Sequence, residues 1–140
     1  MASILEMLKE YCQAWNTHDA EKIASLYTED GVLQDEPAGV VANGRDAVRK
    51  YAQGMFSAFP DIKMEATNLF ESKNVGASEM VMTATNKGPL RDGTPPTGKN
   101  VSMKFCAIYE CEGALVRHSR NYYDRASLTR QLGLMPPIPK

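Results

Sequence analysis

Asp124 and His118 stand six residues apart near the end of the chain, in a segment whose residues alternate as those of a β-strand do. On a regular strand they share one face with Arg120 and Tyr122. A histidine beside a carboxylate could polarise a carbonyl or tune a proton transfer, whereas a single β-bulge between the two would send His118 to the outer surface. Asp124 also heads Asp124-Arg125-Ala126-Ser127, the form of a helix N-cap. Glu79 belongs to the strand of Met80 and Met82 but points the other way, with Val81 and Thr83. It is a second carboxylate for Asp124 if that side is concave, and a solvated or interface charge if it is not. Gln34 and Asp35 are neighbours on a short strand, so one of them faces inward.

A carboxyl can act first as base and then as acid if an apolar setting moves its pKa towards neutrality. Trp15, Tyr51, Met55, Phe59, Met82 and Phe105 could supply such walls. Tyr27, Tyr51 and Tyr122 could donate a hydrogen bond to a substrate carbonyl, or simply pack in the core. Met64, Met80, Met82 and Met103 read as adaptable core. His18 falls in a turn, as a capping or solvent-facing residue.

Other chemistries lack their motifs. No HExxH and no other histidine pair has metal-ligand spacing. Cys12, Cys106 and Cys111 form no CxxC pair and read as reduced thiols, two of them buried. There is no GxGxxG run, P-loop or GxSxG elbow. The expectation is proton-transfer chemistry with neither metal nor cofactor. The formal net charge is −1 and basic residues never cluster beyond two in a row, which argues against a nucleic-acid partner. No apolar run approaches the roughly 18 residues that span a bilayer, and the N-terminus lacks the basic and apolar regions of a signal peptide. A cytoplasmic protein is therefore expected, and the apolar, Met-rich lining suits a small apolar organic ligand.

The elements that would position these residues follow from periodicity. Ser3 and Glu6 have the form of a capping box, ahead of a helix over residues 4–15 with Leu5, Leu8, Cys12 and Trp15 on one face. Asp19 caps a second helix running through Tyr27. A short strand over 32–35 is closed by Pro37 and Gly39. Asn43-Gly44 opens a third helix carrying Val48, Tyr51, Met55 and Phe59, stopped by Pro60. Strands follow at 62–67, 77–85, 101–109 and 114–123, the last two joined by a hairpin at Glu112-Gly113. Residues 86–98 are a Gly/Pro-rich loop. Leu128 to Leu132 could make a final helical turn, and Pro136 to Pro139 an extended tail docking on a neighbour.

Helices followed by hairpin-linked strands describe one α+β domain over residues 1–140. Strands this long must twist and curl, so a curved, mostly antiparallel sheet wraps the N-terminal helices into a cone with an apolar pocket. The strand of Val101 to Tyr109 is apolar on both sides, Cys106 and Ile108 lying opposite Phe105. A homodimer through the convex face is expected from this.

Trp15-Asn16-Thr17-His18-Asp19, Leu26-Tyr27-Thr28-Glu29-Asp30-Gly31-Val32, Asn43-Gly44-Arg45-Asp46-Ala47-Val48, Ala58-Phe59-Pro60-Asp61, Thr97-Gly98-Lys99 and Tyr123-Asp124-Arg125-Ala126-Ser127-Leu128-Thr129-Arg130-Gln131-Leu132-Gly133 occur in an order that resembles the SnoaL-like polyketide cyclases. These belong to the superfamily sharing the fold of nuclear transport factor two and ketosteroid isomerase, so the resemblance implies a cystatin-like α+β roll. The resemblance covers nearly the whole chain. It implies an intramolecular aldol condensation without metal or cofactor, with Asp124 matching the strand-end aspartate that shuttles the proton. The superfamily also holds epoxide hydrolases, isomerases and non-catalytic binding modules. The hydrolases use an Asp-Arg-Asp relay, for which Arg120 and Asp35 are the candidates beside Asp124.

Overall fold

The structure, a computed structural model, describes residues 3–136; the expected tail beyond Pro136 lies outside them. Helix α1 (Ile4–Asn16) begins at Ser3, whose Oγ accepts the Glu6 N–H at 3.1 Å. It buries Ile4, Met7, Leu8, Tyr11, Ala14 and Trp15, a stripe at helical spacing, with Leu5 and Cys12 only half-buried at its edge. Helix α2 (Ala20–Ser25) is capped by Asp19, which accepts the Lys22 N–H at 3.0 Å. It stops two residues short of the expected end because Leu26 and Tyr27 are claimed by the sheet. Val116 N–H donates to the Leu26 carbonyl at 2.8 Å, and Tyr27 pairs with Val116.

Strand β1 (Tyr27–Asp35) is longer than expected, since Glu29-Asp30-Gly31 passes through the sheet instead of ending a helix. Its register against the last strand shifts between Tyr27 and Val32. Gly31 permits that bulge: a Cβ there would stand 2.9 Å from the Val116 carbonyl oxygen. Strand β2 (Val40–Asn43), not foreseen, folds back antiparallel on β1 with Val40 opposite Asp35. Helix α3 (Arg45–Ala58) follows Gly44, whose φ of +88° suits glycine and whose N–H reaches the Gly31 carbonyl at 2.7 Å. Val48, Tyr51 and Ala52 are its buried face.

Strands β3 (Lys63–Ser72), β4 (Val75–Thr85), β5 (Asn100–Glu112) and β6 (Leu115–Tyr123) complete a curved six-stranded sheet of order β2-β1-β6-β5-β4-β3. Only β1 and β6 pair in parallel. That pairing joins the N-terminal helical unit to the antiparallel run, so both halves line one concave space. One apolar cluster, from Ile4 to Leu132, fills the part nearest the helices. Each large side chain buried there contributes about 1.5–3 kcal/mol.

Helix α4 (Arg125–Gln131) closes the far end, longer than the single turn expected. Gln131 fastens it to β5, accepting the Ser102 N–H at 2.7 Å and donating to the Ser102 carbonyl at 3.0 Å. The 86–98 loop is irregular, as its composition demands, and Asn86 holds it. Fully buried, its amide donates to the Ala58 and Gly88 carbonyls and its oxygen accepts the Thr97 N–H, so both ends of the loop are tied to α3. His18, exposed in the α1–α2 turn, bonds through Nε2 to the Ile62 carbonyl. All three cysteines are free. Cys111 is buried and Cys12 half-buried, while Cys106 is exposed because it points out of the convex side of β5. No helix among the described residues is long and apolar enough to cross a membrane.

Candidate active site

Between the helices and the concave side of the sheet lies a cavity of about 940 Å³, within the size range of small-molecule sites. Its walls are predominantly apolar. Trp15 comes from α1 and Met55 from α3, with Phe59 just beyond. The sheet supplies Met82 and Phe105, and α4 supplies Leu128. Helical spacing puts Tyr51 and Met55 on one side of α3, and strand alternation puts Met80 with Met82, and Met103 with Phe105, on the concave side.

One buried carboxylate is set into this wall. Asp35, the last residue of β1, is 6% exposed and lines the cavity. Its Oδ2 accepts the Tyr51 hydroxyl at 2.8 Å, and its Oδ1 accepts the Ala38 N–H at 3.3 Å. Asn121, its register partner on β6, lines the cavity beside it, as does Tyr123 two residues on. Burial pushes the Tyr51 phenol well above its ordinary pKa, and the charge of Asp35 pushes it further. Tyr123 is raised for the same two reasons in the same order. Both phenols therefore stay protonated and present O–H donors to the carboxylate or to a ligand oxygen. A buried carboxylate, two phenolic donors and an amide at one end of an apolar cavity can move a proton and bind a developing oxyanion.

Residues 5–132 match the model of the SnoaL-like polyketide cyclases. The chain belongs to this family. Among solved structures it is similar to AclR, a candidate hydroxylase from Streptomyces galilaeus, at 26% identity and a TM-score of 0.82 over 98% of this chain and 85% of AclR. It is also similar to a protein from Catenulispora acidiphila with a ketosteroid isomerase-like fold, in complex with trimethylamine (17% identity, TM-score 0.82, 93% of this chain and 94% of that one). IdmH of Streptomyces antibioticus, a candidate polyketide cyclase, matches at 19% identity and a TM-score of 0.78 over 94% of this chain and 99% of IdmH. The fold shared with the ketosteroid isomerase group is thereby shown.

Within this family member, the residues expected at the site divide cleanly. Trp15, Tyr51, Met55, Phe59, Met82 and Phe105 all line the cavity. Asp124 does not: it is exposed and caps α4, its Oδ1 accepting the Ser127 N–H at 3.0 Å. The strand ends one residue before it, so nothing turns its side chain inward. His118, Arg120 and Tyr122 do share a face, but it is the convex one, because Asn121 and Tyr123 between them take the concave side. There His118 bonds Gln34 at 2.9 Å, and Arg120 pairs with Glu110 at 2.6 Å. Gln34 is thus the outward member of the Gln34/Asp35 pair. Glu79 also points outward, accepting the Asn68 amide at 2.6 Å. Tyr27 is fully buried behind the cavity, in a chain of hydroxyls with Tyr11 at 2.9 Å and Ser119 at 2.7 Å. Asp35, Arg120 and Asp124 consequently do not come together as a relay.

Asn121 and Tyr123 went unrecognised in the sequence, as did the dominance of Asp35. Adjacent apolar Val32 and Leu33 left the inward side of β1 ambiguous, and because Glu29-Asp30-Gly31 reads as a helix end, no alternation carries over from Tyr27 to Leu33 and Asp35. Among the described residues, no group of three or more His, Cys, Asp or Glu side chains is arranged to hold a metal ion.

Proposed function

We propose that this chain is an acid/base enzyme that closes a ring in an apolar carbonyl compound by intramolecular aldol condensation, with Asp35 as the proton-transfer group. The observation that carries the reading is Asp35 itself, buried in the wall of a 940 Å³ apolar cavity and hydrogen-bonded by Tyr51. Membership of the polyketide cyclase family supports the reaction class.

In the forward step the Asp35 carboxylate removes a proton from carbon next to a substrate carbonyl. The C–H electron pair becomes the C=C bond of an enolate, and the carbonyl π pair moves onto oxygen, where Tyr123 O–H or the Asn121 amide donates to it. The enolate carbon then attacks a second carbonyl carbon of the same molecule, forming the ring C–C bond and leaving an alkoxide. That alkoxide recovers the proton from the Asp35 carboxylic acid, so the catalyst returns unchanged. General acid/base catalysis of this kind supplies about 10²–10⁴-fold.

The test needs no natural substrate. Held in D2O with 2-tetralone, a flat apolar ketone with acidic C–H bonds, the protein should speed deuterium incorporation at the carbon beside the carbonyl, read by proton NMR. Asp35→Asn should lose at least about 100-fold of that acceleration, while Asp124→Asn, which keeps a capping side chain, should keep it. Asp35→Asn exchanging as fast as the unsubstituted protein would exclude Asp35 as the base.

The capping position of Asp124 favours a second reading, a ligand-binding module without catalysis. An exchange rate no faster than buffer, with 2-tetralone bound, would establish it. Outward apolar residues on the sheet, Ile108 among them, support a homodimer through the convex face in either case.

A further inference from the structure

The charged groups at the cavity mouth are more specific than its apolar walls. Arg91 and Arg125 both line the cavity and remain exposed to solvent. Arg45 donates to the Tyr27 carbonyl at 2.8 Å, Arg49 pairs with Glu21, and Arg117 and Arg120 pair with Glu110. Arg91 and Arg125 have no carboxylate within ion-pairing distance among the described residues. The nearby acid, Asp92, also lines the mouth, but its Oδ1 is occupied by the Thr94 N–H at 3.0 Å and the Thr94 hydroxyl at 2.6 Å.

Arg91 is directed at the reactive end, and Arg125, the first residue of α4, lines the same mouth. Arg91 lies over the Tyr51 ring with Cζ 4.9 Å from the centroid, and the hydroxyl of that ring holds Asp35. Arg91 and Arg125 both bias the Tyr123 phenol electrostatically. One phenol ring therefore separates a cationic mouth from the buried carboxylate. A guanidinium presents a fork of N–H donors that matches a carboxylate.

We propose that Arg91 and Arg125 form a subsite for a carboxylate carried by the molecule in the cavity. The substrate is then a flat apolar acid and not a neutral compound, with its acidic group about one aromatic ring from the carbon at which Asp35 works. This rests on the cavity holding the substrate, as proposed above, and adds its charge and its orientation. Asp35 at the inner end and the arginines at the mouth would admit such a molecule apolar body first.

Calorimetric titration with 2-naphthylacetate and its neutral twin 2-naphthylacetamide tests this directly. The carboxylate should bind about tenfold more tightly at low salt, and the advantage should shrink as sodium chloride is raised. Arg91→Gln with Arg125→Gln should reduce it below about twofold while amide affinity is kept. Arg130→Gln, on α4 but outside the cavity lining, should leave it intact. Equal affinity for acid and amide, an advantage that survives the double substitution, or one that Arg130→Gln also abolishes would each overturn the subsite. Failure of both probes to bind would overturn it together with the cavity assignment. Loss of deuterium exchange with the carboxylate preference intact would count against the catalytic reading alone.

Discussion

Tyr51, on α3, donates its hydroxyl across the cavity wall to Oδ2 of Asp35 at the end of β1, 2.8 Å away. The bond joins a residue set by helical spacing to one set by strand alternation, and both are nearly inaccessible to water. Tyr51→Phe keeps the ring that packs there and removes the donor alone. The prediction is a 10- to 100-fold slower deuterium exchange, roughly what one charge-assisted hydrogen bond is worth. Affinity for 2-tetralone should change less than about threefold, because the apolar contacts persist. A variant that exchanges at the full rate would leave Tyr51 as packing only.

Asn86 is the keystone of the loop at the mouth, with three hydrogen bonds from a fully buried side chain. Asn86→Ala removes all three and leaves the Thr97 N–H without its acceptor, while the Ala58 carbonyl keeps the Lys87 and Gly88 N–H donors. A loss of about 2–4 kcal/mol in unfolding free energy is expected by urea titration. Because the loop carries Arg91, the carboxylate preference should weaken too. Unchanged stability would mean that the loop is held from elsewhere.

Acid should expose a smaller contribution from Asp61. Its carboxylate accepts the Thr85 N–H at 2.7 Å, and this bond holds its pKa below the ordinary value. A carboxyl whose folded pKa is depressed lends stability that is complete above the unfolded value, about 3.9, and is lost as pH falls through the folded one. The melting-temperature gap between the protein and Asp61→Ala should therefore be full at pH 7 and close as pH falls through the depressed folded value. A gap that is constant across that range would contradict the depressed pKa.

How much of this could be read in the residues differs between scaffold and site. The caps at Ser3 and Asp19 and the four long strands follow from local chemistry, and the structure has them, while the α1 stripe expected on Leu5, Leu8, Cys12 and Trp15 is turned so that Leu5 and Cys12 lie at its edge. The cavity's apolar wall was also legible, since Trp15, Met55, Met82 and Phe105 fall on inward positions of regular elements. The buried carboxylate was not. Its direction depends on a strand that starts at Tyr27, where the residues read as a helix, and on a parallel β1–β6 pairing across more than 80 positions of sequence, neither of which leaves a periodic trace. Asp124 shows the converse: the same residue satisfies a family pattern and a helix cap, and only its place one residue beyond β6 separates them.

The convex face offers the last test. Register sets Phe70, Ala77 and Ile108 in one outward row across β3, β4 and β5, and Phe70 is 59% exposed. Cys106 and Tyr122 are paired on the same side. Arg120 continues the first row beside Ile108 and Glu79 the second beside Cys106, so paired charges interleave the apolar residues of this face. Light scattering at micromolar concentration should give the mass of two chains, and Phe70→Glu with Ile108→Glu should give that of one. The cavity opens on the opposite side of the sheet, so the double substitution should leave 2-naphthylacetate binding within about twofold. A single-chain mass for the unsubstituted protein would show that this face meets water and not a second copy.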